Sequence, residues 1–100
     1  MYARVVNIRF PPDMRAEVVD VALGVAPILR ERLRERRGFN GLQVMTNPNA
    51  GEGVMVSFWE TEADAEASEA SPSYIGQMSL MSSFLYERLV PKSYEVNVRV

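Results

Sequence analysis

The 100-residue chain contains no cysteine and no histidine. Without cysteine there are no disulfides, no thiolate nucleophiles and no sulfur ligands for a metal. Without histidine, the commonest metal ligand is missing, along with the side chain best suited to proton transfer near neutral pH. Ser-His-Asp and Cys-His nucleophile sets and the H-E-x-x-H zinc motif are therefore excluded, and no C-x-x-C or Walker loop occurs. An excess of one charge is lacking too: 11 Lys and Arg oppose 13 Asp and Glu, for a net charge of −2. That argues against a nucleic-acid partner, which would call for a basic face. No apolar run approaches the roughly 20 residues of a membrane span. The opening MYARVVNIRF alternates and carries Arg4 and Arg9, unlike a signal peptide. The simplest expectation is a cytoplasmic protein with no nucleic-acid or membrane partner.

What is present is ordinary for a globular protein, with 47% hydrophobic and 24% charged residues. The length predicts one domain over residues 1–100. A core of that size is modest, and pairing with a second copy would enlarge it.

Residues 2–10, YARVVNIRF, read as a strand of β-branched and aromatic residues. Pro11-Pro12 stops it, and Asp13 is a candidate N-cap. A helix to about Arg37 follows, with Val18, Ala22, Val25, Leu29 and Leu33 forming one apolar stripe. Pro27 removes one backbone donor and predicts a kink near 23–27, and Gly38 fits the position after the helix. FNGLQVMTN (39–47) and GVMVSFWE (53–60) read as strands joined by the turn residues PNAGE, a hairpin. Thr61-x-x-Asp64 fits a capping box that opens a helix at EADAEASEA. Ser71-Pro72 starts a second helical segment running to about Leu89, and SYEVNVRV (93–100) reads as the last strand.

Strand, helix, strand, strand, helix, strand is the ferredoxin-like βαββαβ order. It implies an α+β fold: a four-stranded antiparallel sheet with both helices on one face, through right-handed crossovers. One strand parity is strongly apolar: Val6, Ile8 and Phe10, then Val54, Val56 and Phe58, then Tyr94, Val96 and Val98. The other is mixed: Val5, Asn7 and Arg9, then Met55, Ser57 and Trp59, then Glu95, Asn97 and Arg99. A mixed face of this kind predicts a covering layer, and a second sheet is the natural one.

Few residues stand out chemically. The run RERLRERR (30–37) reads as a solvated face whose arginines complement a helix C-terminus. Glu60, Glu62, Asp64, Glu66 and Glu69 sit where a helix begins, where negative charge is stabilising. Met78 and Met81, with Leu80, Phe84 and Leu85, are core packing or a pliable wall for an apolar ligand. Tyr74 needs a polar partner if buried. Asn7 at a strand centre is unusual; it is satisfied by a neighbour such as Asn97 or Ser57, or it faces a ligand. Trp59, the only tryptophan, fills the core or lines a pocket.

Gly38-Phe39-x-Gly41 and Ser57-Phe58-Trp59-Glu60-Thr61, with the mid-helix Pro27, resemble the antibiotic biosynthesis monooxygenase family of the dimeric α+β barrel superfamily. The resemblance covers nearly the whole chain. It implies a homodimer that packs open sheet faces together, and a pocket where Asn7 and Trp59 are catalytic. Arg9, Ser57, Tyr74, Met78 and Met81 then make up the substrate-binding set, with Arg4 or Arg9 available to a phenolate and Tyr74 to a proton. The implied activity is cofactor-independent oxidation of an electron-rich aromatic such as an anthrone or quinol. Haem degradation through an axial histidine is not expected in a chain without one. The alternative is a non-catalytic homodimer that binds a small molecule or assists a pathway partner.

Overall fold

A computed structural model describes residues 1–70 and 90–100 of the chain. Its elements follow in the order β1 (Tyr2–Arg9), α1 (Arg15–Leu33), β2 (Phe39–Asn47), β3 (Glu52–Trp59), α2 (Glu62–Glu69) and β4 (Pro91–Glu95). The strands form one antiparallel sheet in the order β2-β3-β1-β4, with β1 and β3 inside and β2 and β4 at the edges. This is the ferredoxin-like α+β fold. The second helical segment expected over 71–89 lies outside the described residues.

Local chemistry accounts for most boundaries. Pro12–Met14 form a single 3₁₀ turn, so Asp13 lies inside that turn; Met14 occupies the N-cap of α1 and makes no side-chain cap. The stripe Val18, Ala22, Val25, Leu29 and Leu33 is buried, as its spacing predicts. Pro27 leaves α1 continuous. Its ring and Leu23, whose carbonyl loses its i+4 partner, both stand on the exposed side, where water can replace the lost bond. The helix ends at Leu33, four residues before Arg37, and a chain of turns leads to Gly38 at φ 78°. At α2 the Thr61 hydroxyl accepts from the Asp64 amide at 3.1 Å, the cap expected from the sequence.

The last strand begins at Pro91, not Ser93, and ends at Glu95. Proline is tolerated because β4 is an edge strand with one free side. Beyond it, among the described residues, the Val96 amide continues the ladder to the Met1 carbonyl at 2.9 Å.

The register decides which side chains share a face. Tyr2 pairs with Trp59, Arg4 with Ser57, Val6 with Met55 and Ile8 with Gly53. Paired residues point the same way, so Val6, Ile8 and Phe10 share the helix-covered side with Met55, Ser57 and Trp59. The open side carries Val5, Asn7 and Arg9 with Val54, Val56 and Phe58, and Tyr94 from β4. The parity grouping read from the sequence is thus corrected at β3, and at β4, where Tyr94 pairs with Ala3 on the open side and not with the set of Val6, Ile8 and Phe10. The more apolar set of β3 faces away from the helices, and the set containing serine faces the core.

Candidate functional site

The two motifs that carry the family resemblance meet at one end of the sheet. Phe39 and Trp59 are register partners, and their rings pack edge to face with centroids 5.3 Å apart. The Glu60 amide donates to the Gly38 carbonyl at 2.8 Å. Between Phe39 and Leu42 the ladder bulges, with Gly41 at φ 127°, a value open to glycine. That bulge keeps Phe39 and Leu42 on the helix side. Trp59 is 2% exposed, and its indole N–H donates to the Ser57 hydroxyl at 2.9 Å. The bond explains how serine can be buried on the core side of a central strand. Trp59 therefore belongs to the core, and its one polar atom is already satisfied.

Beside this knot lies a polar cluster. Arg4 on β1 grips both carboxylate oxygens of Glu69 on α2, with Nη2 to Oε2 at 2.6 Å, and its Nη1 donates to Ser93 Oγ on β4 at 2.5 Å. Both charged side chains are 16% exposed. The fork geometry of a guanidinium on a carboxylate ties α2 to two strands at once. Next to Glu69, the buried Ser68 hydroxyl has no hydrogen-bond partner among the described residues.

A groove of about 930 Å³ opens between α1 and the edge strand β2. Leu23, Pro27 and Arg30 line the helix side, and Phe39, Leu42 and Val44 the strand side. Through Phe39 it abuts Trp59 without reaching it. The volume falls within the range of small-molecule sites.

The structure separates several residues that sequence reasoning grouped. Asn7 and Arg9 are exposed on the open face, whereas Trp59 and Ser57 are buried on the helix face. The sheet lies between Asn7 and Trp59, so within one protomer they cannot line one pocket, and the expectation that they share a face is corrected. Arg4 is committed to Glu69 and Ser93. Tyr74, Met78 and Met81 lie outside the described residues. Sequence reasoning missed Phe39 and the wall formed by Leu23, Ala26 and Arg30. The signal was a second stripe on α1, Val19, Leu23, Ala26 and Arg30, at the same spacings of three and four as the core stripe beside it.

The fold and this groove define a two-layer α+β domain with room for a small molecule between helix and sheet. A family profile described as "Antibiotic biosynthesis monooxygenase" matches residues 1–75, and the chain belongs to that family. No curated protein sequence matches it significantly. Solved structures do. A monooxygenase from the gene ActVA-Orf6 of Streptomyces coelicolor, in complex with the ligand nanaomycin D, superposes with a TM-score of 0.78 at 19% identity, covering 99% of this chain and 89% of its own. A putative antibiotic biosynthesis monooxygenase from Nitrosomonas europaea gives 0.76 at 15% identity, covering 98% of this chain and 100% of its own. Rv0793 from Mycobacterium tuberculosis gives 0.75 at 13% identity over 98% of this chain and 96% of its own. At these identities the likeness shows the shared fold. Among the described residues no helix is long and apolar enough to cross a membrane.

Proposed function

We propose that this protein is a cofactor-independent monooxygenase acting on an electron-rich aromatic of the anthrone or quinol type. The observation that carries the proposal, in a chain of this family, is the groove of about 930 Å³ walled by Leu23, Pro27, Phe39, Leu42 and Val44. Such a substrate supplies its own electrons. Loss of a proton gives an electron-rich anion that reduces O₂. In the overall reaction an anthrone's ring CH₂ and O₂ become a ring C=O and one water, and a quinol and O₂ become a hydroxyquinone and one water. The chain's task is to hold the ring, exclude water and favour the anion. Apolar walls on two sides do the first, and a bound ring displaces water from between them. Phe39, fixed against Trp59, gives a rigid edge for an aromatic ring.

A homodimer through the open face is part of the proposal. Val54, Val56 and Phe58 are partly exposed there, with Met45 at 50% and Tyr94 at 51%. A second sheet would cover them, and Asn7 and Arg9 would then face the space between the sheets. Sedimentation showing only monomer at micromolar concentration would refute this part.

One observation favours the non-catalytic reading. The indole N–H of Trp59 is already bound to Ser57, which leaves Trp59 nothing to offer a substrate oxygen. Trp59 fluorescence during titration with anthrone- and quinol-like aromatics, with dissolved oxygen followed in the same cuvette, separates the two. Quenching with oxygen uptake is the expected result. Quenching without uptake points to a binding protein.

A further inference from the structure

We infer that the α1–β2 groove selects a planar aromatic ligand carrying an anionic oxygen, a carboxylate or ionised phenol, and that Arg30 holds that oxygen. The inference rests on reading the groove as the ligand site.

The walls set the shape. The groove lies between one flank of a helix and one face of a strand, so its opposed sides are Leu23 and Pro27 against Phe39, Leu42 and Val44. A flat ring fills such a slot better than a branched chain. Proline and phenylalanine are also stiff, so little side-chain freedom is lost when a ring is clamped between them.

The charges set the polarity. Arg30, Glu31 and Arg34 are the ionisable residues on the groove wall, two cations against one anion. Arg34 and Glu31 answer each other at 3.1 Å on the exposed rim. Arg30 has no hydrogen-bond or ion-pair partner for its side chain among the described residues. It lies one helical turn beyond Ala26 and Pro27, so its stem can follow the apolar wall. A guanidinium offers a planar fork of donors and keeps its charge. On the wall of this slot it matches the two oxygens of a carboxylate or the single oxygen of a phenolate. It also favours the ionised form of a bound phenol, which is the form that gives up electrons. The bland alternative is an arginine that only complements the negative end of α1. That role is equally open to Arg32 in the same last turn and requires no place on the groove wall.

The test uses 2-naphthoate and its neutral methyl ester as probes of the intact protein. Affinities are measured by calorimetry, and the site is located by amide shifts in heteronuclear NMR. Arg30→Gln is compared with Arg34→Gln and the parent chain. We expect naphthoate to shift the amides of residues 39–46 and to lose roughly tenfold or more in affinity in Arg30→Gln, as for a lost hydrogen bond to a charged group. Arg34→Gln should cost less, and ester affinity should be the same in all three proteins. Naphthoate affinity unchanged in Arg30→Gln overturns the inference. So does an equal loss for acid and ester, or shifts confined to the open face. Failure of naphthoate to bind overturns it too, as would follow if a second copy filled the groove. Arg30-dependent naphthoate binding without oxygen uptake from any aromatic would support this inference while removing the oxygenase reading.

Discussion

The two faces of the sheet are built on different terms. The helix side is cross-linked around β1, β3 and α2: Phe39 on Trp59, Trp59 to Ser57, and Arg4 to Glu69 and Ser93. The open side carries Val5, Val54, Val56, Phe58 and Tyr94 in a nearly unlinked apolar field, with the Arg99 guanidinium lying over the Phe58 ring at 4.5 Å. One face has spent its polar groups on itself. The other has apolar area left over. The contrast assigns them different tasks: the first holds the protomer together, and the second suits association.

The sharpest way to break that contrast is Trp59→Ala. Removing a tryptophan that is 2% exposed should cost about 3–5 kcal/mol, read from urea unfolding followed by far-UV circular dichroism. A loss near zero would mean that the helix face does not carry the fold. Arg4→Met comes next. It leaves the Glu69 carboxylate half-enclosed and unpaired, and should cost about 2 kcal/mol, less than a fully buried pair because both side chains keep some solvent contact. Adding Glu69→Leu should recover part of that loss. If the double variant is less stable than the single, the pair is not the source of the cost. The smallest effect belongs to the open face. Asn7→Ala should change protomer stability by no more than about 0.5 kcal/mol, as for an exposed position. A larger loss, measured under conditions where any dimer is dissociated, would show that Asn7 has structural work within the protomer.

The family signatures gain a physical meaning from the same contrast. Gly38-Phe39-x-Gly41 and Trp59-Glu60-Thr61 contact one another through a ring pair, a backbone bond and a bulge, and Thr61 then caps α2. They fix the junction of β2, β3 and α2. That is why the motifs reveal the fold far better than they reveal the chemistry. Glu69 makes a related point. In the sequence it was one of five acidic residues placed to favour a helix start, and nothing marked it as the partner of an arginine 65 positions away.

Element order and most element bounds were legible in the chain. The apolar stripe of α1, the hairpin turn at 48–51 and the Thr61 cap are local patterns, set by the 3.6-residue period and by short-range hydrogen bonding. The sheet-facing sense of β1 was legible too, because Val6, Ile8 and Phe10 contrast with Asn7 and Arg9. At β3 the same reasoning fails. An interior strand with cover on one side and an apolar field on the other has two apolar parities, and the register with β1 and β2 chooses between them. Register is a long-range property, and one residue of shift exchanges the faces. Thus, among the described residues, the sequence by itself determined which segments become strands and helices and in what order they follow. Only the tertiary structure decided that Ser57 and Trp59 point inward, that Asn7 points outward, and that Arg30 lines a groove, because those outcomes depend on which elements become neighbours and in what alignment.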